Sequence, residues 1–189
     1  MTGDSGRGVP IGPGVVLAAV PVLRDPNFYR TVVLVCEHGE DGTFGLVLNR
    51  DTEIDPSEIM DELGPAGRTV RIGGPVQTDT LHFLHEFGDR IPEAIEVQDG
   101  VWWGGDFDAL KEQLAEPSTE AGVRLFLGYS GWGGGQLDAE LEEGSWAVAH
   151  ARAEWVFRTD PEDVWRQVML RLGGDWALMA NFPDDPRMN

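Results

Sequence analysis

The stretch TVVLVCEHGEDGTFGLVLN, residues 31–49, decides the fold. Residues 31–36 form an apolar run rich in β-branched side chains, which reads as a strand buried on both faces. A polar turn, Glu37-His38-Gly39-Glu40-Asp41-Gly42, leads into a second apolar stretch at residues 44–49. Two strand patterns joined by a Gly- and Asp-bearing loop predict a β-hairpin. Strands that neighbour each other in sequence pair antiparallel, so this segment points away from a regular βαβ winding.

Upstream, residues 15–22 form another doubly buried strand, and Arg24-Asp25-Pro26-Asn27 is a turn between it and the hairpin. Residues 1–13, rich in Gly, Ser and Pro, are expected to be a flexible leader, with residues 14–189 a single domain. Downstream, Asp55-Pro56-Ser57-Glu58 supplies an N-cap, a first-turn proline and a capping-box glutamate for a short helix that stops at Gly64. Strands follow at residues 70–72, 80–87, 95–97 and 101–103, with a Gly73-Gly74-Pro75 turn between the first two. Phe107, Leu110 and Leu114 have helical spacing over residues 106–115.

Residues 123–127 read as a strand that ends in a glycine-laden loop, residues 128–135, before a helix at residues 136–142. Residues 145–149 and 154–157 read as two more strands. The last clear helix opens at Asp160-Pro161, carries Val164, Trp165, Val168, Met169 and Leu172 on one face, and stops at Gly173. Strands therefore outnumber helices, and the fold class is α+β: a curved sheet or partial barrel with short helices against it.

Composition narrows the function. The 189 residues carry 33 acids against 14 bases, a formal charge of −19, and Lys111 is the only lysine. So negative a field repels nucleic acid and anionic membrane surfaces, which argues against direct contact with either. Cys36 is the only cysteine, no secretory signal opens the chain and no apolar segment approaches a membrane span, a pattern expected of a cytoplasmic protein.

No catalytic signature completes itself. The strand, Ser130 and the following glycines resemble a nucleophile elbow, but G-x-S-x-G fails because Trp132 stands two residues after the serine. The same loop lacks the lysine of a phosphate-binding loop, which leaves the glycines to permit close chain approach beneath Tyr129 and Trp132. Cys36, His38, His82 and His85 suggest a metal, yet on a strand His82 and His85 point to opposite faces. Carboxylate groups such as Glu37 with Asp41, or Glu140, Glu142 and Glu143, suit a solvated face better than acid–base work. Seven tryptophans fit core packing or an apolar pocket better than base stacking. No cofactor is expected.

Dense motifs carry a family resemblance. They are Asp25-Pro26-Asn27-Phe28, Arg30-Thr31-Val32, Glu37-His38, Gly45-Leu46-Val47-Leu48-Asn49-Arg50, Gly73-Gly74-Pro75-Val76, Leu84-His85, Gly128-Tyr129-Ser130-Gly131-Trp132, Gly135-Gln136-Leu137 with Glu140, and Ser145-Trp146. On these the chain resembles the YqgE/AlgH family of bacterial proteins, departing at Asp51, usually proline, and Met188, usually leucine. The resemblance implies a bifurcated, pseudo-barrel sheet. It also implies little chemistry, since most members have no assigned activity and some are labelled transcriptional regulators.

Polar residues at strand ends beside glycine turns give the candidate binding set: His38, Asn49, Arg50, Gly73, Gly74, His85, Tyr129, Trp132 and Gln136. The expected function is a non-catalytic binding or regulatory protein acting on a protein or small-molecule ligand. The alternative is an enzyme whose His38 or His85 serves as acid–base beside Asn49 or Ser130.

Overall fold

A computed structural model describes residues 8–21, 27–63, 70–115 and 122–181. The strands are β1 (Val15–Ala19), β2 (Val32–Gly39), β3 (Gly42–Val47), β4 (Val70–Ile72), β5 (Val76–His85), β6 (Ile95–Gln98), β7 (Val101–Trp103), β8 (Val123–Gly133) and β9 (Trp146–His150). They form one curled, largely antiparallel sheet in the order β6-β7-β5-β8-β3-β2-β1-β9, with β4 parallel to β8 beside this path. The helices are α1 (Pro56–Ile59), α2 (Phe107–Leu114), α3 (Gln136–Glu142), α4 (Ala153–Phe157), α5 (Pro161–Leu172) and α6 (Gly174–Met179). The α+β half-barrel expected from the strand excess is the observed architecture.

The hairpin forms as its sequence dictates, with Gly39 paired to Gly42 across a two-residue turn at Glu40 and Asp41. The central strands are buried on both faces. Val16, Ala18, Val32 and Leu34 face the inside of the curl under α4, α5 and α6, while Val15, Leu17, Val33 and Val35 face the opposite side under α3. A third apolar cluster, with Phe83, Leu110 and Leu125, sits under α2. Asp55 caps α1 with the full capping box, and Asp106 and Asp160 cap α2 and α5.

The two halves of the sheet are joined by β8. Along one edge it pairs first with β4 and then with β3, while β5 holds its other edge. The chain must therefore pass across the β8 backbone between β4 and β5, through residues 73–75. Side chains cannot fit in that passage: a Cβ on Gly73 would strike the Gly128 carbonyl, and one on Gly74 the Tyr129 carbonyl. Gly74 and Gly128 also hold positive φ, 158° and 69°. Ser130 Oγ donates to Gly73 O at 3.1 Å, and Val47 N donates to the same oxygen at 2.8 Å, which fastens the crossing to both halves.

Four readings of the sequence change. The glycine-laden stretch after Leu127 is not a loop: β8 continues to Gly133, and Gly128 serves the crossing while Gly131 lies under the Tyr129 ring, neither making a turn. Residues 154–157, apolar and β-prone, form α4 instead of a strand. Arg71 and Arg124 guanidiniums donate to the last carbonyls of that one-turn helix, Val156 O and Phe157 O, and so satisfy groups a short helix leaves orphaned. Helix α6, unmarked by any cap, follows Gly173. Val9 and Ile11, within the expected leader, pack on the cluster under α3. Arg24, Asp25, Pro26, Gly64 and the tail beyond Asn181 lie outside the described residues.

The crossing is the most sensitive point of the fold. Gly74→Ala is expected to lower the unfolding free energy by about 3 kcal/mol or to prevent folding. Gly133→Ala, where a Cβ meets nothing within 4 Å, should change it by no more than about 0.5 kcal/mol. Denaturant titration of both variants measures the difference.

Candidate functional site

Strand alternation splits the hairpin tip into two faces. Cross-strand register sets Glu37, Phe44 and Gly131 in one row and His38, Thr43 and Trp132 in the next, so the two rows point to opposite sides of the ribbon. Each side opens onto a cleft of about 510 Å³. The first is lined by Glu37, Asp41, Phe44, Val76, Tyr129, Gly131 and Trp132, with Gly42 and Thr43 shared between the two clefts. The second is lined by His38, Glu40, Thr43, Gly135, Leu137 and Asp138.

Packed aromatic rings back the first cleft. Phe44 is stacked between Trp103 and Tyr129, both with centroids at 4.7 Å, and His82 meets Phe44 and Tyr129 edge-on at 5.2 and 5.9 Å. The second side rests on a polar clamp. Glu140 Oε2 accepts from Trp132 Nε1 at 2.9 Å and from Trp146 Nε1 at 2.7 Å, while Gln136 Nε2 donates to Glu140 Oε1 at 3.1 Å. Gln136 Oε1 accepts from Gly133 N, and Phe28 packs on both indoles. Helix α3 is thereby locked to the end of β8.

The structure gathers four of the nine candidate residues around this tip: His38, Tyr129, Trp132 and Gln136. His38 is exposed, its Nδ1 bonded to Thr43 Oγ1 at 2.8 Å. The other five lie elsewhere. At the far end of β3, Asn49 accepts from Val32 N and donates to Arg30 O, and the half-buried Arg50 guanidinium donates to Tyr29 O. Gly73 and Gly74 belong to the strand crossing. His85 is fully buried where β5 meets the start of β8, with Nδ1 accepting from Phe87 N and Nε2 donating to Gly104 O, which fixes its tautomer.

The histidines, Asn49 and Ser130 therefore do not share a cavity, and Ser130 Oγ is committed to the crossing. On β5, His82 and His85 face opposite sides: His82 joins the Phe44 and Tyr129 rings, whereas His85 packs with Phe83 and Phe87. Burial pushes the Cys36 thiol well above the ordinary thiol range. Sequence reasoning missed Phe44 as a cleft wall, although its register opposite Glu37 follows from the hairpin.

The curled sheet places the chain in a known structural class. A crystal structure of a Corynebacterium diphtheriae protein aligns with a TM-score of 0.80 at 28% identity, covering 92% of this chain and 94% of that one. The solution structure of the AlgH protein from Pseudomonas aeruginosa aligns at 0.73 with 30% identity, covering 95% and 98%. An AlgH-like family model matches residues 16–177. A UPF0301 protein of Chlorobaculum tepidum is 44% identical over 178 residues, 94% of this chain and 95% of the relative, and one of Cytophaga hutchinsonii is 40% identical over 179 residues, covering 93% and 98%. The chain belongs to the AlgH-like family, an uncharacterised one whose membership defines the fold and not an activity. No helix among the described residues is long and apolar enough to cross a membrane.

Two outcomes follow from this geometry. Glu140→Ala leaves two indole N–H groups without their acceptor and should cost about 2–4 kcal/mol in denaturant unfolding, against no more than about 0.5 kcal/mol for the exposed Glu142→Ala. Burial lowers the pKa of both His82 and His85 below the ordinary 6.5, an effect that the Gly104 hydrogen bond opposes in His85. The unfolded chain thus binds the more protons, so stability is full above about pH 6.5 and falls as the pH drops through that value. Denaturation at a series of pH values should show this loss, and His82→Phe should reduce it.

Proposed function

We propose that the chain is a non-catalytic binding module of the cytoplasm, with a regulatory role, that receives its ligand or partner at the clefts flanking the β2–β3 hairpin tip. The observation that carries this reading is the convergence of His38, Tyr129, Trp132 and Gln136 on that one ribbon end. The walls there are braced by stacked rings and the Glu140 clamp, so they are organised before any ligand arrives. Among the described residues no nucleophile with its base is assembled beside them, which fits recognition better than turnover.

Regulation, including the transcriptional role given to some relatives, would on this reading run through a protein or small molecule. A charge of −19 disfavours direct DNA contact. The test is a metabolite panel read by melting temperature, together with recovery of co-purifying protein. A reproducible stabilising ligand or partner is expected, and Tyr129→Ala and His38→Ala should diminish the binding. If neither ligand nor partner is found, or if binding ignores both substitutions, the reading is wrong. A mobility shift of DNA at low salt would also count against it.

A further inference from the structure

The two clefts are bordered by carboxylates that no cation among the described residues pairs. Glu37 and Asp41 border the first cleft, Glu40 and Asp138 the second, and among the described residues none of the four forms an ion pair. Elsewhere the chain does pair its acids: Asp51 with Arg71 at 2.8 Å, Glu86 with Arg158 at 2.8 Å, and Asp108 with Lys111 at 2.7 Å. The first cleft adds ring surface to its charge. Tyr129 and Phe44 are half-buried, and the Tyr129 ring lies so close over Gly131 that a Cβ there would stand 3.1 Å from it. The absence of a side chain at Gly131 thus lets the Tyr129 ring lie down along the strand, and the exposed Glu37 and Asp41 carboxylates line the same cleft as that ring.

A surface of that composition suits a planar cation. A guanidinium can lie on an aromatic ring and donate from its edge to two carboxylates, which a hydrated ammonium does less well. The cleft is open rather than enclosed, and the whole chain carries −19. These features favour a side chain presented by an extended partner segment over a small molecule that must be surrounded. We propose that this cleft docks an arginine-bearing basic segment of a partner protein, with the guanidinium between the Tyr129 ring and the Glu37 and Asp41 carboxylates.

The assignment rests on the hairpin tip being the binding site, and the test separates the two ideas. A capped Gly-Arg-Gly-Arg-Gly peptide is titrated calorimetrically at low salt into the full chain, beside the same peptide carrying citrulline and beside free arginine amide. The arginine peptide should bind, and the citrulline peptide and arginine amide should each bind at least about tenfold more weakly. Replacing both exposed carboxylates, Glu37→Gln with Asp41→Asn, should weaken the arginine peptide by at least about tenfold. Glu162→Gln with Asp163→Asn removes the same charge from the exposed start of α5 and should stay within about twofold.

Several results overturn the assignment. They are no binding at millimolar peptide, equal binding of the citrulline peptide, equal loss in the two double variants, or arginine amide binding as tightly as the peptide. The last would make the cleft a small-cation site. A ligand or partner that depends on Tyr129 while the arginine peptide fails to bind would keep the binding module and remove only the arginine docking.

Discussion

A strand can be crossed by another segment of backbone only where neither carries a side chain between them. The passage of residues 73–75 over β8 meets that condition through Gly73, Gly74 and Gly128, and the rest of the molecule hangs on it. Because the chain changes edges there, β8 can pair with β4 and then with β3 along one side, and a single strand serves both halves of the sheet. The inner apolar cluster spans the two halves, joining Leu84, Val101 and Phe126 to Val16, Leu34 and Leu46. The curl closes until a Cβ on Gly14, before β1, would stand 2.5 Å from Val97 O on the edge strand β6.

Local signals carried most of the architecture. The hairpin, the capping box of α1, the Asp-Pro start of α5 and the doubly buried strands are each decided by residues close together in sequence, so they were legible. Residues 128–133 and 154–157 were not. A run of glycines reads as a turn because the Gly74 backbone that requires a bare Gly128 lies more than fifty residues away in the chain, and Trp155-Val156-Phe157 reads as a strand because nothing local announces Arg71 and Arg124 at the helix end. In both places a long-range contact outweighs the local preference. Asp51, a departure from the family pattern, finds its reason the same way, as the carboxylate that neutralises the buried Arg71.

The candidate site divides along the same line. His38, Tyr129, Trp132 and Gln136 were found because strand ends beside glycine turns do converge here. Asn49, Arg50 and His85 share that sequence setting but meet backbone: their side chains fasten the segment before β2 and the end of β5. Polar residues near glycines signal either recognition or the repair of broken backbone pairing, and only the three-dimensional surroundings separate the two. Glu140, which in the sequence belongs to an acidic group suited to a solvated face, illustrates the reverse case, since two indole donors turn one carboxylate into a brace.

The ribbon of β2 and β3 acts as a party wall with different furniture on each side. Glu37 and Phe44 address one room, His38 and Thr43 the other, and the assignment depends only on parity along the strand. A substitution at Glu37 or Phe44 therefore reaches the first cleft alone and one at His38 the second alone, whereas Gly42 and Thr43 line both. Adding or removing one residue between Gly39 and Gly42 would instead exchange the occupants of both rooms at once. What assigns each side chain to its side is thus the number of residues in that turn, two between the paired Gly39 and Gly42.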